Sequence, residues 1–224
     1  MLRLDNYPLI TQKLADYIIW KKIILMMQQK EHLTLEGLKK IVALKASLNL
    51  GLSDQLKEAF PDVVPVTRPV VAASQQIIKD PQWVAGFTSA VGCFFIDIYK
   101  SKTKSAPEAA AAADGGCCAG VAVKLTFYLT QHCRDKELMK GLIEYFECGN
   151  IHLKKAKVNF AVQKYSNLTD KIIPFFKKFP IIGEKSKDFA DFCKVAELMK
   201  IKTHLTVEGL DQIRLIKFGM NRSR

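Results

Sequence analysis

The sequence has no long apolar run and few acidic residues. Its most apolar stretch, Ile18–Met27, contains two lysines and falls well short of the roughly 20 residues of a membrane span, so no membrane insertion is expected. Asp and Glu total 22 against 34 Lys and Arg, which leaves a net charge of +12. Such an excess of positive charge is typical of proteins that bind the phosphate backbone of nucleic acids.

Cysteine and histidine are present without the spacing of a metal site. The six cysteines form no Cys-x-x-Cys pair, and the four histidines are scattered along the chain. Structural zinc sites combine these residues at short, fixed intervals. We therefore expect no bound metal and no cofactor, and a reducing compartment is the simplest assumption for the thiols.

One segment of the sequence occurs twice. Residues 7–49 align with residues 179–221 without gaps, at a constant offset of 172. Both copies contain the blocks HLT and EGL in the same order. Further identical pairs are Pro8/Pro180, Lys13/Lys185, Asp16/Asp188 and Asn49/Asn221. Since so many gapless matches are a poor fit to chance, each copy is interpreted as the end of one structural unit.

Each copy is predicted to form two helices. Residues 13–28 and 186–200 have helical character, and Thr34 and Thr206 are predicted to cap the helices that follow. An acidic residue two positions after each threonine suits the positive end of the helix dipole. The recurring His32 and His204 are interpreted as turn-packing residues rather than catalytic ones.

Residues 80–95, DPQWVAGFTSAVGCFF, carry a family resemblance. This segment resembles the signature helix of the LAGLIDADG homing endonucleases, whose commoner form is WLAGF(T/I)DGEGCF. The matching residues are Trp83, Ala85, Gly86, Phe87, Gly92, Cys93 and Phe94. Both repeat endings and the segment FFKKFPIIGEKSKDF are also similar to this family. The resemblance covers nearly the whole chain except residues 104–116.

The resemblance implies an α+β fold of αββαββα type. Each such unit presents a saddle-shaped antiparallel sheet to the DNA major groove, and two units meet through their signature helices. On this basis residues 1–59 are expected to be the C-terminal helices of a truncated first repeat, and 60–79 an extended, proline-rich linker. Residues 80–224 are expected to form a complete second repeat, with a low-complexity insertion at 101–119.

The signature helix departs from the family pattern where its chemistry is expected. In active members, the resemblance implies, the last acidic residue of each helix holds the divalent metals, but here Val91 occupies that position. Valine has no oxygen with which to ligate a hard cation. The sequence therefore predicts that no residue is catalytic, that no metal is bound and that the chain is not an enzyme. Small residues of the same helix, Ala85, Gly86 and Ala90, are expected to contact a partner helix.

Alternation of apolar and polar residues predicts four strands after this helix, at roughly 94–100, 120–131, 150–154 and 157–163. One face of the sheet is expected to be core, and the other to be basic and rich in hydrogen-bond donors. The residues expected to contact nucleic acid are Lys100, Lys102, Lys124, Thr126, Tyr128, Thr130, His152, Lys154, Lys157, Asn159 and Gln163.

These features favour a catalytically inactive, domesticated protein that binds structured RNA. The expected role is a structural component of a mitochondrial ribosome that contacts ribosomal RNA, with neighbouring ribonucleoprotein subunits as partners. Three alternatives stay open: a maturase or splicing cofactor of a group I intron, one half of a split homing endonuclease completed by a second chain, and a protein-binding module. Family habit favours the mitochondrial matrix, although no targeting signal is visible.

Overall fold

The computed structural model describes residues 3–49, 51–100, 117–118 and 121–221. The chain forms two compact units, which we call unit 1 (Met1–Ile77) and unit 2 (Ile78–Arg224). The predicted α+β class is confirmed. Within the described ranges, no helix is long and apolar enough to cross a membrane.

Unit 1 is helical wherever it has regular structure among its described residues. Its helices are α1 (Arg3–Asn6), α2 (Lys13–Gln28), α3 (Leu35–Ala46) and α4 (Asp54–Ala59). Ile19, Met26, Leu44 and Leu48 form a small buried core between α2 and α3.

Residues 60–77 of the predicted linker belong to unit 1, and Val66 and Arg68 contact its helices. The Val66 amide donates to the Ala43 carbonyl over 3.2 Å. Arg68 forms an ion pair with Asp16, with 2.6 Å between Nη1 and Oδ1. These contacts attach the segment to the helix pair.

Unit 2 begins with the signature helix. The Asp80 side chain accepts from the Gln82 amide over 2.8 Å, and Pro81 occupies the first turn, where its missing N–H costs nothing. The helices of unit 2 are α5 (Pro81–Val91), α6 (Lys136–Phe146), α7 (Tyr165–Asn167), α8 (Ile173–Lys178), α9 (Lys185–Lys200) and α10 (Val207–Phe218).

One antiparallel sheet forms the centre of unit 2. Its described strands are β1 (Gly92–Lys100), β2 (Cys117–Cys118), β3 (Val121–His132), β4 (Asn150–Lys154) and β5 (Lys157–Val162). The order across the sheet is β1-β3-β5-β4, and the short β2 pairs with β3. With α6 between the two hairpins and α9 and α10 after them, the expected αββαββα order is confirmed.

The core of unit 2 lies on one face of this sheet and is rich in phenylalanine. Phe94, Phe127 and Phe160 are fully buried on neighbouring strands. The Phe94 ring also contacts Phe176 of α8 and Phe192 of α9, with centroids 5.9 and 5.3 Å apart. Because the helices cover this face, the opposite face of the sheet is available for polar side chains.

The two repeat endings have the same local geometry. Thr34 and Thr206 each accept from a glycine amide three residues on, over 3.0 and 3.1 Å. A Cβ at either glycine, Gly37 or Gly209, would lie 2.0 Å from a backbone carbonyl oxygen of the preceding turn. Only glycine fits this close approach, which explains the repeated EGL block.

Candidate nucleic-acid interface

Strand alternation places a set of polar side chains on the face of the sheet away from the core. In the register of β1 and β3, Asp97 pairs with Lys124 and Cys93 with Tyr128. Further across, Thr130 pairs with Asn159. We call the polar face the set Asp97, Lys124, Tyr128, Thr130, His152, Lys154, Lys157, Asn159 and Gln163.

The polar face contains eight of the eleven residues that the sequence predicted as nucleic-acid contacts. Gln163 directly follows β5, and its Oε1 accepts from Lys124 Nζ over 3.0 Å. His152, Lys154 and Lys157 are exposed, while the remaining members are half-buried. The role of these side chains in binding stays a prediction, but the structure brings them together on one surface.

The tip of the β4–β5 hairpin concentrates positive charge. Lys154 and Lys157 are direct strand partners, and Lys155 lies in the turn with φ of 48°. Like charges placed directly opposite each other destabilise a strand pair. The Cys133 amide donates to the Ala156 carbonyl over 2.9 Å, which ties this turn to the end of β3. The arrangement suits a surface whose charge is neutralised by a bound anion.

Two predicted contact residues that the structure describes, Thr126 and Lys100, do not belong to the polar face. Thr126 has the right alternation but is only 2% exposed, beside its strand partner Phe95, so the expectation that it contacts a ligand is wrong. The Lys217 ammonium lies 5.6 Å from the Phe95 ring centre and further occupies this part of the face. Lys100 is exposed, but alternation along β1 assigns it to the side of Phe94. Lys102 lies outside the described residues.

The predicted partner-helix surface of α5 is smaller than expected. Gly86 and Ala90 are exposed, one helical turn apart. Ala85 is 3% exposed and lies with Val84 and Thr88 on the buried side of the helix, so it is not available to a partner. Contact with a partner helix stays a prediction for Gly86 and Ala90, and the burial of Ala85 argues against its taking part.

The end of α5 brings together groups that are distant in the sequence. Lys185 Nζ donates to the Gly92 carbonyl directly after Val91. The Asp188 Oδ1 accepts from the Asn221 amide over 3.0 Å, and Asn221 Nδ2 donates to the Phe94 carbonyl over 3.3 Å. These bonds fasten the N-terminus of α9 and the end of α10 to the start of β1.

Lys185 was missed as a candidate by the sequence analysis. Within the part of the chain that the structure describes, Lys185 is a cation hydrogen-bonded to the backbone at the end of the signature helix. The signal was present, because Lys13 and Lys185 are an identical pair of the repeat. An identical lysine at equivalent positions of both copies is a reason to consider a functional role for it.

The residues around Val91 do not fit the divalent metal that the family resemblance implies. Val91 is half-buried against the core and offers no oxygen. Burial raises the pKa of the neighbouring Cys93 thiol, with the nearby Lys185 acting in the opposite direction. Among the described residues, no group of three or more His, Cys, Asp and Glu side chains could hold a metal ion.

Known proteins resemble the chain over almost its whole length. The family model described as LAGLIDADG endonuclease matches residues 84–196. Two Neurospora crassa relatives are "Probable intron-encoded endonuclease 3", 39% identical over 96% of this chain, and "Probable intron-encoded endonuclease 2", 38% identical over 95%. This chain spans only 38% and 45% of their respective lengths.

A solved structure is similar in both sequence and fold. The I-SmaMI LAGLIDADG homing endonuclease bound to cleaved DNA superimposes with a TM-score of 0.89 at 44% identity. The alignment covers 99% of this chain and 69% of that chain.

These similarities contradict the function expected from the sequence. The proposed role in a mitochondrial ribosome, and RNA and ribosomal proteins as partners, are wrong, because the relatives are named endonucleases and the structural neighbour holds DNA. The expectation that the chain is not an enzyme is contradicted by the same findings, and the three alternatives are no better supported. The error came from giving Val91 and the incomplete first repeat more weight than the likeness of the rest of the chain.

Proposed function

Because the chain belongs to the LAGLIDADG endonuclease family, we propose that it binds double-stranded DNA and takes part in site-specific phosphodiester hydrolysis as an intron-encoded endonuclease. The observation that carries the proposal is the polar face, a basic surface built on a sheet that superimposes on a DNA-bound endonuclease. The mitochondrial matrix is our proposed location, on family habit alone.

The polar face provides the two kinds of contact that sequence-specific binding needs. Half-buried side chains near its centre, such as Lys124, Tyr128 and Asn159, suit contacts with base edges in the major groove. The exposed Lys154 and Lys157 at the hairpin tip suit phosphate contacts. Phosphates would also relieve the repulsion between these two strand partners.

At the end of α5, Lys185 is the side chain of this unit placed to act on a phosphate. An ammonium group has three N–H donors, and the Gly92 carbonyl takes one of them. The other two can donate to phosphate oxygens and stabilise the negative charge that develops during hydrolysis. Val91 has no oxygen with which to ligate a metal. The exposed pair Gly86 and Ala90 is proposed as the contact surface for a partner helix.

A binding experiment tests the first half of this proposal. The full chain would be titrated against labelled DNA duplexes, recovered by the chain from a randomised pool, and against structured RNA of equal length. We expect tighter binding to duplex DNA, with affinity that falls as salt rises. Combined Lys154→Glu and Lys157→Glu substitution should weaken binding on the order of tenfold or more.

The matched control is Lys140→Glu, which reverses the charge of an exposed lysine on α6. This helix packs on the core face through Met139 and Leu142. Binding should change little in the control. Tighter binding to RNA than to duplex DNA would contradict duplex DNA as the ligand. Equal losses of affinity in the sheet variant and the control would contradict the assignment of binding to the polar face.

A cleavage assay tests the proposed part of the chain in phosphodiester hydrolysis. The recovered duplexes would be incubated with Mg²⁺ and examined for breaks in each strand. Val91→Glu supplies the oxygen ligand that the end of α5 lacks, so we expect it to raise the rate of strand breakage at least about tenfold. Val91→Gln is the control of equal size without the charge. If neither the unaltered chain nor Val91→Glu breaks a duplex that both bind, the endonuclease proposal fails.

A further inference from the structure

Three side chains at one end of the polar face form a defined group. Asp97 of β1 is the strand partner of Lys124 of β3. Lys124 Nζ in turn donates to Oε1 of Gln163, which follows β5, over 3.0 Å. All three are half-buried, and alternation directs all three to the same side of the sheet. They therefore form a short row across three neighbouring strands.

The hydrogen bond between Lys124 and Gln163 restricts what this row offers to a ligand. With its Oε1 engaged, Gln163 presents the two N–H groups of its amide, and Lys124 retains two further N–H donors. Asp97, as a carboxylate, only accepts. Read from β1 towards β5, the row presents an acceptor, a donor and a donor.

The major-groove edge of a C·G base pair presents the complementary order. It runs from the cytosine N4 donor to the guanine O6 and N7 acceptors. Since neighbouring strands lie about 4.8 Å apart, side chains on three strands must converge only modestly to reach three groups on one edge.

We propose that this row reads a single C·G base pair, an inference that rests on the DNA binding proposed above. Asp97 accepts from cytosine N4, Lys124 donates to guanine O6, and Gln163 donates to guanine N7. A T·A pair would set the thymine O4 acceptor against Asp97 and the adenine N6 donor against Lys124. A reversed G·C pair would set guanine acceptors against the Asp97 carboxylate, so the row also fixes the orientation of the pair.

The test is a comparison of binding-site selections made with the full chain and its variants. Each protein would recover duplexes from a pool with a randomised core, and base frequencies at each position would be read by sequencing. For the unaltered chain we expect one position with a C·G preference of about tenfold. Lys124→Met should reduce that preference to less than about twofold at this position and leave the others in place.

A second variant addresses the cytosine side. Asp97→Asn keeps an acceptor but adds a donor, which can serve the thymine O4, so the preference for cytosine over thymine should shrink at the same position. Lys140→Met is the matched control, because it removes one exposed positive charge from α6 on the opposite side of the sheet.

The outcomes separate this inference from the proposed function. If the unaltered chain recovers no duplex at all, both fail. If it recovers a site whose base preferences are the same in Lys124→Met and Asp97→Asn, the reading of a base pair by this row is overturned while DNA binding stands. A uniform loss of affinity without a change at any one position would mean that Lys124 contacts a phosphate, which also overturns the inference.

Discussion

The helix pairs α2–α3 and α9–α10 have nearly the same local structure but different surroundings. Trp20 on α2 is 45% exposed, whereas Phe192 at the equivalent position of α9 is fully buried. Met27 and Met199, an identical pair of the repeat, are 49% and 7% exposed. The apolar side that packs on the sheet in unit 2 is therefore largely open in unit 1, where the described residues form no strand.

The repeated sequence determines the helix pair and its caps. The stability that the pair contributes depends on which elements cover its apolar side. Burial of apolar surface supplies most of the stability of a helix in a folded protein. Equivalent substitutions in the two pairs should consequently have unequal effects, and four of them test this expectation.

The largest difference is expected for Leu210→Ala and Leu38→Ala, the same change at equivalent positions. Leu210 is 6% exposed, so we expect a loss of about 3 kcal/mol in the free energy of unfolding of unit 2. Leu38 is 38% exposed, and its loss should be about 1 kcal/mol. Urea unfolding, followed by Trp83 in a Trp20→Phe background and by Trp20 in a Trp83→Phe background, reports on each unit separately.

Equal losses at the two leucines would contradict the comparison. They would mean that the apolar side of α2–α3 is covered in solution to the same extent as that of α9–α10.

The second largest difference is expected between the repeated lysines, Lys185 and Lys13. Lys185→Met should reduce the rate of strand breakage on the order of a hundredfold, because the cation at the end of α5 is lost. Lys13→Met should have a smaller effect in this chain, since Lys13 is exposed on α2 and no signature helix precedes it within the described residues. Single-turnover rates on duplexes bound to saturation would separate this effect from binding. Equal rates of strand breakage for Lys185→Met and the unaltered chain would show that Lys185 takes no part in the hydrolysis.

A smaller difference is expected between the repeated aspartates. Asp188 is buried and accepts from the Asn221 amide, so Asp188→Ala should cost about 2 kcal/mol. Asp16 instead forms an ion pair with Arg68, with 2.6 Å between Oδ1 and Nη1, and the two side chains are 23% and 32% exposed, so Asp16→Ala should cost about 1 kcal/mol. The same two tryptophan readouts apply. A greater loss at Asp16 would show that the Arg68 contact anchors the linker more firmly than its exposure indicates.

The smallest expected effect is the pH dependence of unit 2. Burial lowers the pKa of His204 below its usual 6.5. The unfolded chain therefore takes up a proton before the folded one, and this contribution to stability declines as the pH falls below about 6.5. The free energy of unfolding of the unaltered chain and of His204→Gln, measured at about pH 7.5 and about pH 5.5, gives the slope of stability against pH. His32→Gln is the control, and an unchanged slope in His204→Gln would exclude this histidine as the cause.

Much of the fold could be predicted because its signals are local. The bounds of α2 agree with the predicted helix, and both threonine caps are present. The alternation of Val123, Leu125 and Phe127 with polar neighbours located β3 and assigned its faces. Period and capping depend on residues a few positions apart, which a sequence displays directly.

The candidate site was predicted less completely because its contacts are not local. Thr126 follows the alternation of an exposed residue, yet its environment buries it. Ala85 and Gly86 are adjacent small residues, and only the packing of α5 decides which of them is exposed. Lys185 reaches the Gly92 carbonyl across 93 positions of the chain, a proximity that no local pattern encodes.

The sequence by itself determined the family likeness, the repeated helix pair, the strands and the basic polar face, because these follow from residue type and short-range periodicity. The tertiary structure alone decided which repeat ending is buried, that Lys124 is held by Gln163, and that Lys185 lies at the end of the signature helix. The physical reason is that burial and long-range hydrogen bonds depend on the element packed opposite, and that element is encoded elsewhere in the chain.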